Sequence, residues 1–318
     1  MILRKIIKNN ISLTCLWYII DNWLAGKRLK NGNLKTTSGT RHFGMSLKNS
    51  IDYIDRVFKD YLLYGNLNSF SGNVAEIGPG DNLGVALCIL ANGAENVHAI
   101  DRWKPERNNK EQEQIYKALA LRKGFTNLFT GPPNEKNIKG LTYNSGVPAE
   151  IFFKETNEKF DFIISRAVLE HLFDPLDALS YMLKTLNPGG MLIHRIDLRD
   201  HGMFSEHHPL THLTINDNTW KLMTNNSGRP NRVLVPDYQR WLTSSDINGK
   251  IFISRLAGLN EDLLPQTWDQ IPQDLKDKAL TKVEAIKPKL SNRYRRMKDT
   301  DLAITGCILV AKKPFYSD

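Results

Sequence analysis

Five of the chain's eight histidines fall between His194 and His212, in a stretch that also holds Asp197, Asp200 and Glu206. Imidazole titrates nearest neutral pH, so such a cluster suits proton removal from an acceptor, and imidazoles with carboxylates can also ligate a metal. The spacing at His207, His208 and His212 matches no familiar ligand set, so no metal is expected. His201 is the first candidate for a general base, because Asp197 or Asp200 is placed to orient its ring. His171, within Leu169-Glu170-His171-Leu172, is the second. The competing reading makes these histidines ordinary surface or packing residues.

A second chemical signal is Val74-Ala75-Glu76-Ile77-Gly78-Pro79-Gly80-Asp81-Asn82-Leu83-Gly84. An apolar run, two glycines one residue apart and a helical pattern predict strand, tight loop and helix N-terminus, the opening of a nucleotide-binding βαβ unit. A further apolar run, Val97-His98-Ala99-Ile100, ends in Asp101, 21 residues past Gly80, where a ribose diol is held in such units. Gly84 follows Gly80 by four residues rather than three, and Glu76 precedes the first glycine. An acid there suits a cationic ligand better than a pyrophosphate.

These residues resemble the first motif of the class I S-adenosylmethionine (SAM) methyltransferases. The resemblance continues through Phe160-Asp161, Leu169-Glu170-His171-Leu172 and Pro188-Gly189-Gly190-Met191-Leu192, and covers roughly residues 70–200. It implies an α/β, Rossmann-like, seven-stranded, mostly parallel sheet with an antiparallel last strand. It further implies SAM as cofactor, with Glu76 at the methionine end, Gly78 and Gly80 in the loop and Asp101 on the ribose. Arg102, Asn144 and Ser165 complete the implied cofactor set, Asn144 near the adenine edge. On the acceptor side the implied substrate residues are Arg166, Asp200, His207 and His208, beside the catalytic candidates His201, His171 and Asp197. The expected reaction is methyl transfer to a hydroxyl of a sugar, a glycan precursor or another small molecule. No Asn-Pro-Pro-Tyr element follows the fourth strand, which disfavours methylation of nucleic-acid amino groups. An RNA methyltransferase and a catalytically silent SAM-binding subunit stand as alternatives.

The elements that must position these residues follow from periodicity. Residues 47–64 have helical spacing ahead of the first strand, and 111–123 and 175–186 predict further helices. Strands are expected at 141–144, 159–165, 191–196, 250–254 and 302–311. Residues 1–46 form a basic extension before a methyltransferase domain over 47–318, with insertions at about 201–235 and 255–300. The net charge of +9 is concentrated at both ends, with eight bases against one acid in residues 1–41 and eight against two in 277–298. That pattern points to an anionic surface or to solvated charge. Residues 1–26 predict an amphipathic helix, either interfacial at a membrane or packed on the core. Three scattered cysteines, Cys15, Cys88 and Cys307, fit a reducing cytoplasm, with peripheral contact at the inner membrane surface if the helix is interfacial.

Overall fold

The structure, a computed structural model, describes residues 7–36, 41–105, 107–245 and 247–315. The basic start of the chain, with Arg4 and Lys5, lies outside the described residues, as do residues 37–40. The chain divides into two compact units. A glycine-loop unit comprises Leu34–Arg166, Asp177–His194 and Val310–Asp318; a histidine unit comprises Met1–Asn33, Ala167–Leu176 and Arg195–Leu309.

The apolar runs become strands β1 (Asn73–Ile77), β2 (Asn96–Asp101), β3 (Leu141–Ser145), β4 (Phe160–Arg166), β5 (Leu186–Asp197), β6 (Asn248–Leu256) and β7 (Ile304–Lys312). They form one sheet in the order β3-β2-β1-β4-β5-β7-β6. Neighbours β1, β2, β3 and β4 pair in parallel. Such strands are covered on both faces, which is why they read as continuous apolar runs rather than alternating ones. Strand β7 is antiparallel to β5, since the Lys313 and Gly190 ends pair while Leu198 N–H donates to Thr305 O.

In the glycine-loop unit, α2 (Leu47–Gly65) is capped by Ser46, which accepts from Asn49 N–H. Its buried stripe of Ile51, Ile54, Val57, Phe58 and Tyr61 packs with α3 (Gly84–Ala91) and α4 (Asn109–Lys123) in one core. Gly84 makes that packing possible: a Cβ there would stand 2.5 Å from Ile54 Cδ1. The third glycine thus serves close helix packing despite its altered spacing.

In the histidine unit, α1 (Ile11–Lys30) runs past residue 26, the end of the helix expected from the sequence. It packs on α5 (Asp217–Thr224) through Cys15, Tyr18, Trp220 and Met223. The extension is therefore joined to the acceptor-side insertion. No helix among the described residues is long and apolar enough to cross a membrane.

Candidate functional site

The glycine loop follows β1 at the carboxyl ends of the parallel strands, where ligands of open α/β sheets bind. Gly78 and Gly80 take positive φ of 70° and 72°, a conformation that costs glycine little. Asp81, 2% exposed, fixes the loop from below by accepting the backbone N–H groups of Arg41 (3.1 Å), His42 (3.0 Å) and Phe43 (3.1 Å). His42 is consequently buried. Asn82 accepts from Gly84 N–H at 2.6 Å, and Tyr116 Oη accepts from Leu83 N–H at 3.1 Å.

Register sets Ile77 beside Ile100 and Ile100 beside Asn144, so Glu76, Asp101 and Asn144 sit near one edge of three adjacent strands. Glu76 is 4% exposed, and its Oε2 has no hydrogen-bond partner. Burial pushes its pKa up to about 8, although Arg107 pulls the other way. Burial likewise raises Asp101 to about 6, opposed by the Trp103 N–H, which donates to Oδ1 at 2.9 Å, by Arg107 and by the Gly80 N–H. Tyr143 Oη and Asn144 Nδ2 are also buried without partners. Arg107 reaches Gly80 O at 2.8 Å, pairs with Glu135 at 2.5 Å and lies 4.3 Å over the Tyr143 ring. Arg102 stacks 5.0 Å over Trp103. Unsatisfied buried acceptors and donors at strand ends are what a ligand with a cationic head, a diol and a base edge would satisfy. The residues present fit SAM.

Ser165, at the end of β4, is fully buried, with Oγ 2.8 Å from His194 Nδ1. Its hydroxyl is already engaged. Arg166 is ion-paired with Asp60. Burial pushes His194 down to about 3, so that imidazole stays neutral.

In the histidine unit the structure gathers His201, His171 and a residue not expected at the site, Glu170. The turn Leu169–His171 is held by Asn231, whose Nδ2 donates to Leu169 O (2.9 Å) and Leu172 O (3.0 Å). This turn buries Glu170 to 1% exposure with neither carboxylate oxygen hydrogen-bonded. His201 Nε2 stands 3.5 Å from Glu170 Oε1 and 3.7 Å from Asp197 Oδ2. Burial acts to lower the His201 pKa, but Glu170 and Asp197 together raise it above the usual value. The His171 ring meets His201 edge-on at 4.7 Å, and its Nδ1 donates to Gly228 O at 2.8 Å. That bond leaves Nε2 as the free lone pair. Burial holds the His171 pKa below the ordinary value, despite Glu170 beside it. His201 itself has φ of 51°, a left-handed conformation uncommon for a residue with a Cβ.

Other expected residues have different work. Asp200 accepts from Gly202 N–H (2.9 Å) and Phe204 N–H (2.8 Å), so it shapes the turn and does not orient His201. Asp197 is gripped by Arg199 at 2.8 and 2.5 Å, which holds it below the usual carboxylate range against the effect of burial. His207 Nε2 donates to Lys8 O, and His208 Nδ1 accepts from Leu210 N–H. One ring nitrogen of each is therefore used in local structure. Glu170 was adjacent to His171 in sequence, but an acid within an apolar run carries no sign of its burial. Ligand atoms of Glu170, His171 and His201 all lie within 4.8 Å of one another, a spacing that also admits a divalent cation.

A family model described as a methyltransferase domain matches residues 51–246, and the chain belongs to that family. The matched span holds the glycine loop and its acids, and the family is that of the class I SAM-dependent methyltransferases. Comparison with curated proteins finds no match. Among similar solved structures is Haemonchus contortus phosphoethanolamine N-methyltransferase 2 with S-adenosyl-L-methionine, at 12% identity and TM-score 0.42, covering 86% of this chain and 58% of that one. A second structure of that enzyme, with S-adenosylhomocysteine, is covered over 52% of its length, so the chain spans little more than half of these relatives. The N-methyltransferase NodS from Bradyrhizobium japonicum is similar at 13% identity and TM-score 0.36, covering 86% of this chain and 91% of that one.

Proposed function

We propose that the enzyme methylates a hydroxyl of a sugar, a glycan precursor or another small molecule, with His201 receiving the acceptor proton. The observation that supports this is the buried, otherwise unpartnered Glu170 carboxylate facing His201 Nε2. A carboxylate in that position stabilises the imidazolium formed when a hydroxyl loses its proton. SAM, when bound, supplies an electrophilic methyl on a sulfonium and leaves as S-adenosylhomocysteine. Glu76 and Asp101 would hold and orient it, the glycine loop would let the backbone approach it, and His201 would take the proton of the acceptor hydroxyl. Much of the rate then comes from alignment of nucleophile and methyl group.

A second reading places a divalent cation on Glu170, His171 and His201, favoured by the two Glu170 oxygens that lack donors. There the metal would lower the acceptor's pKa and no histidine would act as base. The RNA alternative loses support because the basic segment near the C-terminal end is partly neutralised internally. Lys278 pairs with Asp274, Lys287 with Asp299 and Arg293 with Asp237.

The test supplies the purified chain with methyl-labelled SAM and separate small-molecule, glycan and RNA fractions, with and without chelator. Base-stable label in a small-molecule or glycan fraction, unaffected by chelator, is the expected result. Label confined to RNA, or activity abolished by chelator and restored by a divalent cation, would overturn the corresponding part of the reading.

A further inference from the structure

Helix α1 is oriented opposite to a surface helix of a globular domain, which normally buries its apolar stripe. Its inward residues are Thr14, Cys15, Tyr18 and Asn22, which recur on one face. Asn22 alone makes several ties to the chain around α5. Its Nδ2 donates to Leu222 O at 2.8 Å, and its Oδ1 accepts from Asn226 N–H at 2.7 Å and Ser227 N–H at 3.0 Å. The opposite face carries Leu13, Leu16, Trp17, Ile20, Trp23 and Leu24, each between 40% and 57% exposed. A narrow inward face, Cys15 and Tyr18 in the core with Asn22 hydrogen-bonded beside them, thus fixes the helix so that its largest apolar side chains point outward. Contiguous exposed apolar surface of this kind marks an interaction site.

The charges around the face select its occupant. The last turn holds Lys27, Arg28 and Lys30, and the Lys27 ammonium lies 3.6 Å over the Trp23 ring. The one acid of the helix, Asp21, is neutralised by Arg229 at 2.9 Å. A second copy of the chain would offer the same face, which has no carboxylate to receive those cations. Anionic headgroups do. Tryptophan beside lysine and arginine is the side-chain pairing of the bilayer interface, where an indole sits at headgroup level and cationic tips reach phosphate. Twenty residues span about 30 Å, enough to lie along a membrane. We infer that α1 docks the enzyme flat on an anionic lipid bilayer through Leu13, Leu16, Trp17, Ile20, Trp23 and Leu24, with Lys27, Arg28 and Lys30 on the headgroups. This inference does not depend on the acceptor or on the role of His201.

The test uses the full chain with phosphatidylglycerol–phosphatidylcholine vesicles and with pure phosphatidylcholine vesicles. The chain should co-sediment with the anionic vesicles and be released by high salt. The paired substitutions Trp17→Ser and Trp23→Ser should abolish binding, and Lys27→Glu with Arg28→Glu should weaken it by at least roughly fivefold per charge. In the unaltered chain, lipids brominated along the acyl chain should quench tryptophan fluorescence, a reading that needs no variant to fold. No sedimentation at low salt, or no quenching, would overturn the inference. So would a concentration-dependent dimer lost in the tryptophan variant, which would assign the face to a second copy.

Discussion

His201 Nε2 and Glu170 Oε1 are 3.5 Å apart, and neither oxygen of that carboxylate has a hydrogen-bond donor among the described residues. A buried carboxylate without donors is costly, so protonation of the neighbouring imidazole is favoured in the folded state. This pairing makes His201 a stronger base than a free imidazole, while His171, held low by burial, stays neutral beside it.

Changing His201 to alanine is expected to lower turnover roughly 10²–10⁴-fold while leaving SAM affinity unaltered. The check is single-turnover kinetics with the identified acceptor alongside calorimetry of SAM binding. Near-normal turnover would transfer the role to His171, whose Nε2 is also available.

Glu170→Gln should leave an active enzyme whose rising limb of kcat/KM is displaced to lower pH, because the raised His201 pKa loses its main support. A structural role alone would not move that limb. The same pair affects stability. A histidine with a raised folded pKa contributes most below its unfolded value near 6.5, and the contribution fades as pH rises through the folded value. Denaturant titrations should therefore separate wild type from Glu170→Gln more at pH 6 than at pH 8.

Asp101→Ala is expected to weaken SAM binding by about 1.5–3 kcal/mol, the range for hydrogen bonds to a charged group. Unchanged affinity by calorimetry would remove the ribose role from this residue.

The parallel strands and α2 were legible because their apolar periodicity is local and their caps, such as Ser46, are adjacent in sequence. The start of β5 was not. Asn187-Pro188-Gly189-Gly190 has the composition of a helix stop, yet these residues are strand, because Gly189 N–H donates to Lys313 O and Lys313 N–H to Gly190 O. Their partner lies more than a hundred residues away. The site divides in the same way. Glu76 and Asp101 stand out in the sequence by their spacing to the glycines, whereas Glu170, Asp81 and Arg107 owe their positions to distant partners. Asn231 buries the first, residues 41–43 engage the second, and Gly80 with Glu135 holds the third. Asp200 and His208 had the right residue types, but their side chains serve the turns they sit in.

The final prediction concerns proton release on cofactor binding. With its pKa raised to about 8 by burial, Glu76 is mostly protonated in the free enzyme at neutral pH. A cationic head arriving beside it favours the carboxylate, so binding must expel that proton whenever the pH is below about 8. By linkage, SAM affinity should fall about tenfold for each pH unit between 8 and 6. Below about 6, Asp101 also becomes protonated and the decline should steepen. Calorimetry in two buffers of different ionisation enthalpy measures the released proton directly, approaching one per SAM near pH 7. Glu76→Gln should bind more weakly at pH 8 yet lose most of the dependence between 8 and 6. A wild-type affinity independent of pH across that window would show that Glu76 is already ionised before the cofactor arrives, and that Arg107 outweighs its burial.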